Sequence, residues 1–106
     1  MEWVRIFSTQ TEARQRITEN KPQLVLVHGK RICLVLRQNS FFAVADRCTH
    51  NGESLSKGLV THLGDVVCPW HGYRFNLKTG REAAQQSADL ETYPVREDDT
   101  GVYIGL

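Results

Sequence analysis

Short apolar runs set the rhythm of this chain, interrupted by glycine, asparagine or aspartate about every ten residues. Residues 2–7, EWVRIF, mix apolar and polar positions with the alternation of a half-buried strand. STQTEARQRI follows, rich in helix formers and with Ser8 or Thr9 placed to cap, and predicts one short helix. The next stretch, QLVLVHGKRICLVLRQNSFFAVAD, predicts three strands. The first two join through His28, Gly29 and Lys30, the next two through Gln38, Asn39 and Ser40; glycine and asparagine accept the positive φ of such tight turns. Farther on, LVTHLGDVVCP predicts a hairpin turning at 62–65 and YRFNLKTGR another turning at 77–80. LETYPVREDDTGVYIGL predicts two strands around 98–101. Roughly eight or nine short strands, with at most one or two helical turns, describe an all-β sandwich or small barrel.

Composition narrows the class without naming a function. A chain of 106 residues has the size of a single domain. It is 41% hydrophobic and 24% charged, with formal net charge +1 and both signs scattered along its length. No basic stripe favours nucleic acid or an anionic membrane as a partner. The apolar runs are far too short to span a bilayer, and MEWVRIF lacks the basic-then-apolar order of a secretory signal. An intracellular, reducing compartment, the cytoplasm, is therefore the expectation. Three cysteines, an odd number, argue against a closed disulfide framework.

The chemistry concentrates in two stretches with no hydrophobic periodicity. RCTHNGESL places Cys48 and His50 one residue apart, and CPWHG places Cys68 and His71 two residues apart. Each stretch follows a predicted strand, where a rigid β scaffold can present metal ligands without disturbing the core. Two thiols and two imidazoles make four donors of the kind soft and borderline metals select. The remaining candidates read as structural: Cys33 lies inside the apolar run ICLVL, and His28 and His62 fall at predicted turns. Structural zinc sites pair two cysteines or two histidines on one arm, whereas each arm here mixes the two types; that is unusual for zinc but sterically possible.

C-x-H, seventeen residues, then C-P-W-H-G resembles the Rieske motif. Gly52, Leu55, Gly58 and Gly72 add to the resemblance, as do RFNLKTG and the closing YPVREDDTGVYI, so it covers most of the chain beyond the first strand and helix. It implies one [2Fe-2S] cluster per chain, with Cys48 and Cys68 on one iron and His50 and His71 on the other. It implies a Rieske-like antiparallel β-sandwich or barrel, one domain over 1–106, with a small cluster-binding subdomain formed by loops at about 46–58 and 67–75. In the family the histidines face outward, where they can pass an electron and couple it to proton transfer. Trp70 is expected to shield the cluster rather than conduct.

Two departures refine the resemblance. Quinol-oxidising members carry an extra cysteine in each loop, whereas the corresponding places here are 51–53 and Trp70. Those members also have serine and tyrosine hydroxyls where this chain has Tyr73 and Phe75. Fewer hydrogen bonds to sulfur imply a low-potential centre, toward the lower end of the about −150 to +300 mV of the class. The chain has neither a G-x-G-x-x-G fingerprint nor a second domain for a facial triad, so it is expected to be an electron-transfer protein rather than an enzyme. The resemblance implies a ferredoxin taking electrons from a flavin-dependent reductase and passing them to a terminal oxygenase or another reductase. The alternative is a small subunit of a larger reductase, such as assimilatory nitrite reductase. Many such subunits lack the cluster ligands, all four of which are present here. Arg47, Glu53, Lys57 and Arg74 near the loops are mixed in sign and do not specify a partner's charge.

Overall fold

The computed structural model describes residues 1–106. Ten strands form three antiparallel sheets, joined by one helix and one 3-10 turn. β1 (Trp3–Phe7), β9 (Val95–Asp98) and β10 (Gly101–Gly105) make the first sheet, in the order β1-β10-β9. The second runs β2 (Gln23–Val27), β3 (Lys30–Arg37), β4 (Ser40–Ala45) and β8 (Thr92–Tyr93). The third and smallest runs β5 (Leu59–Val60), β6 (Asp65–Val67) and β7 (Arg74–Asn76).

The second sheet separates two cores because β3 is apolar on both faces. Ile32, Leu34 and Leu36 point into a core shared with the first sheet, where they meet Phe41, Val102 and Ile104. Cys33 and Val35, one residue out of phase, point the other way into a core with Val66, Phe75, Leu77 and both Cys48 and Cys68. The period of two along a strand thus gives one element two faces, and the second face carries the functional loops.

The helix α1 spans Gln10–Arg16, with Thr9 as N-cap accepting the Glu12 N–H at 2.9 Å. Glu12 Oε1 in turn accepts the Ser8 N–H at 2.9 Å, satisfying a second exposed donor. Ala13 and Ile17 seat the helix on the first core.

The all-β expectation holds, with three differences in detail. The strands number ten rather than eight or nine, because the C-terminal segment supplies three: β8 pairs with β4, β9 with β10. Pro94 lies between β8 and β9, and its missing N–H suits the point where the chain passes from one sheet to another. The turn at 77–80 forms, but its return strand shrinks to a single bridge from Phe75 to Glu82. A short 3-10 turn, Leu55–Lys57, follows the first Cys/His stretch.

Candidate metal centre

Cys48 and Cys68 begin two turns of the same design. The Cys48 N–H donates to the Glu53 carbonyl at 2.8 Å, and the Gly52 N–H returns to the Cys48 carbonyl at 2.8 Å. Likewise the Cys68 N–H donates to Tyr73 O at 2.8 Å and the Gly72 N–H to Cys68 O at 3.2 Å. Gly52 and Gly72 sit at φ 78° and 73°, a region that costs other residues energy. Within this shared frame the histidine occupies the third position of the first loop and the fourth of the second, so the differing spacings fit one backbone device.

Each loop is anchored to the scaffold. Asp46, at the end of β4, is buried and accepts the Ser54 hydroxyl, the Ser56 N–H (2.6 Å) and the Ser56 hydroxyl (3.1 Å). Arg31 Nη2 adds a contact at 3.3 Å. The second loop closes the β6–β7 hairpin through the Val67–Arg74 pair. Between the loops, Gly58 packs so close to the Val67 carbonyl that a Cβ would overlap it.

The four donors separate by type. Cys48 and Cys68 are each 1% exposed at the top of the second core. His50 and His71 lie outside them, exposed, with ring centroids 5.5 Å apart. Tyr73 stacks on His50 at 4.2 Å and 4°, and Trp70 on His71 at 5.4 Å and 20°. Trp70 is itself 65% exposed, so it covers one imidazole edge rather than closing a buried lid. Cys33 is fully buried in the β3 wall, while His28 and His62 are exposed at turns as expected.

Burial pushes the Cys48 thiol above its ordinary pKa; the N–H groups of Asn51 and His50 pull it down, and the neighbouring Cys68 sulfur pushes it up again. A thiol in the position of Cys48 resists ionising unless a cation lies against its sulfur. No three of the chain's Cys, His, Asp and Glu side chains converge on one ion-sized position. A thiol pair and a separate imidazole pair fit a two-iron group, two donors to each iron, better than one tetrahedral ion.

Residues 7–94 match the family model of the Rieske [2Fe-2S] domain. The chain belongs to the Rieske [2Fe-2S] family. It therefore carries one [2Fe-2S] cluster, and the single-zinc reading is set aside. Among curated relatives, the 3-phenylpropionate/cinnamic acid dioxygenase ferredoxin subunit of Photorhabdus laumondii is 37% identical over 90 residues, 84% of this chain and 78% of that protein. The namesake in Escherichia coli (strain K12) is 39% identical over 67 residues, 62% of this chain and 63% of that protein. Among solved structures, the ferredoxin of carbazole 1,9a-dioxygenase from Nocardioides aromaticivorans IC177 superposes with a TM-score of 0.83 at 23% identity, over 99% of this chain and 98% of that one. A complex of reduced oxygenase and oxidized ferredoxin in carbazole 1,9a-dioxygenase contains a chain with a TM-score of 0.80 at 24% identity, covering 96% of this chain and all of that one. At those identities the two likenesses show a shared Rieske-type ferredoxin fold.

Sequence reasoning assigned no contact to four side chains around the Cys/His loops. Asp46 anchors the first loop, and the Thr49 hydroxyl donates to the Ala88 carbonyl at 2.5 Å. Asn51 reaches across to Cys68: Oδ1 accepts the Glu53 N–H at 2.9 Å, and the amide lies 3.8 Å from Cys68 Sγ. Either amide atom can face a thiol, but a thiolate has no proton to give, so Nδ2 is the donor once Cys68 is ionised. Glu82 is the fourth, a carboxylate 1% exposed beneath a surface loop. No distinctive local pattern marks them: Asp46 lies between Ala45 and Arg47, Asn51 between His50 and Gly52, and Glu82 between Arg81 and Ala83, and single polar residues of these types are common in loops.

Proposed function

We propose that Cys48 and Cys68 hold one iron and His50 and His71 the other, and that the protein is the ferredoxin of an oxygenase system. The observation that carries this reading is the segregation of donors, with the thiols buried and the imidazoles exposed. The cluster supplies one-electron chemistry; the chain supplies its setting. The thiol pair and Phe75 keep water from the inner side, while the two imidazoles reach the surface between Trp70 and Tyr73. With the cluster held there, His50 and His71 would offer the electron's exit, on the side a partner can approach. Neutral imidazoles in place of two thiolates make the site less negative and reduction easier than in an all-cysteine cluster.

Residues 1–106 are read as a single domain, with ligand loops at about 46–58 and 67–75. The named roles of the relatives suggest a terminal oxygenase as acceptor; a flavin-dependent reductase as donor rests on the family resemblance of the sequence. The chain itself would act as a carrier, not a catalyst. No helix is long and apolar enough to cross a membrane, and three unpaired cysteines suit a reducing cytoplasm. Purified protein mixed with such a reductase and a ring-hydroxylating oxygenase should turn over substrate only when all three are present. Permanent one-to-one copurification with a large reductase subunit, with no transfer to an oxygenase, would point to the subunit alternative.

A further inference from the structure

Glu82 is almost wholly buried, yet it forms no ion pair. Its carboxylate instead gathers the backbone of the segment that follows. Oε2 accepts the N–H groups of Ala84 and, at 3.1 Å, Gln85, and Oε1 accepts that of Gln86 at 2.9 Å. Desolvation alone would raise its pKa, but the N–H groups of Gln86, Ala84, Gln85 and Ser87 outweigh it and hold the carboxyl below its ordinary range. Gln85 adopts φ 56°, sparsely populated for a side-chain-bearing residue, and its side-chain amide donates to the Glu82 carbonyl at 2.5 Å. The ends are pinned as well: the Glu82 N–H reaches Asp89 Oδ1 at 3.2 Å and the Leu90 N–H reaches Gly80 O at 2.8 Å. Residues 82–89 thus form a compact loop folded about an internal charge.

That loop touches both ligand loops. The Ala83 N–H donates to Arg74 O at 2.8 Å, continuous with the second loop, and a cleft of about 220 Å³ separates Glu82 from His71 and Tyr73. At its far end, Ser87 Oγ lies 2.5 Å from Thr49 Oγ1, and Ala88 O accepts the same hydroxyl. Thr49 is the residue between Cys48 and His50.

We propose that residues 82–89 are a third wall of the cluster site, and that Glu82 is a positioning residue which, through Ser87 and Ala88, holds Thr49 and with it the first ligand loop. The proposal rests on the ligand assignment above. Its test uses the oxidised, cluster-loaded protein. Bleaching of the visible absorbance is timed in excess EDTA, and the electron spin resonance g-values are read after reduction, for Glu82→Gln, Thr49→Val and the double variant. Each single variant should bleach roughly tenfold faster, the factor set by losing the equivalent of about one hydrogen bond. The double variant should bleach no faster than the faster single, and all three should share one displaced set of g-values. Thr9→Ala, which uncaps α1 at the other sheet, should lower the melting temperature without changing bleaching or g-values.

Wild-type bleaching in Glu82→Gln, multiplicative rates in the double variant, or acceleration by Thr9→Ala equal to that by Glu82→Gln would overturn the wall. If Glu82→Gln does not assemble a cluster, Thr49→Val and Ser87→Ala carry the test, since both leave the carboxylate's bonds intact; wild-type rates in both overturn it. A wild-type protein without iron and sulfide would instead sink the ligand assignment beneath it.

Discussion

Asn51 offers a quantitative handle on the cluster. With Cys68 as an iron ligand, the amide N–H at 3.8 Å donates to a sulfur that becomes more electron-rich on reduction. The bond to the Glu53 N–H holds the amide in that orientation. Replacing Asn51 by leucine keeps the γ-branched shape and removes the donor. At 3.8 Å the bond is long, so its preference for the reduced state belongs to the range of about 0.5–1.5 kcal/mol that an ordinary hydrogen bond contributes. One tenfold step in a one-electron equilibrium is about 1.4 kcal/mol, or about 59 mV. Asn51→Leu should therefore lower the midpoint potential by about 20–65 mV.

Asn51→Asp, which sets a like charge beside the thiolate, should lower it further. A redox titration followed by visible circular dichroism measures both. An unchanged or raised potential in Asn51→Leu would show that the amide does not stabilise the reduced cluster, and the reasoning from this contact would fail.

Other consequences are smaller in scope. Burial, assisted by the Asp46 charge, pushes the Cys33 thiol up to about 12. Iodoacetamide at neutral pH should therefore label Cys33 only after unfolding, and Cys33→Ser should retain the visible spectrum; bleaching in that variant would make Cys33 a ligand. Asp46→Asn leaves two serine hydroxyls and a backbone N–H short of a charged acceptor and should cost about 2–4 kcal/mol, read as a melting temperature lower by roughly 10 °C or more. The Ser8 backbone and side-chain hydrogen bonds hold Glu12 below its ordinary 4.5. A depressed carboxyl stabilises above the unfolded value and loses that effect as pH falls through the folded one. The melting-temperature gap between wild type and Glu12→Gln should stay constant above about pH 5 and close as the pH drops below about 4.5.

The hairpins were legible because their turns carry residues suited to positive φ: His28 with Gly29, Gln38 with Asn39, and Gly64. The two Cys/His loops were legible for a different reason, the rarity of cysteine and histidine and the Cys-then-His order that both loops repeat. The division of labour along β3 was not legible, since a run such as ICLVL buried on both faces has no visible alternation. Nor was the return strand after Gly80: residues there pair with β7 at one point and then turn away to wrap around Glu82. Sequence spacing also says nothing of contacts such as Thr49 with Ala88 or Asn51 with Cys68, which depend on how loops close in space. Tyr73 stacks on His50 and Phe75 carries no hydroxyl; the contact to a cysteine sulfur comes instead from Asn51, whose Nδ2 lies 3.8 Å from Cys68 Sγ.

The central claim is that two imidazoles bind one iron and two thiolates the other. Pulsed electron spin resonance of the reduced protein, grown with nitrogen-15 histidine, tests it most directly. The account predicts a rhombic signal with two strongly coupled histidine nitrogens, one lost in His50→Cys and the other in His71→Cys. A reduced cluster with no strong histidine coupling, or with couplings that survive both substitutions, would contradict it.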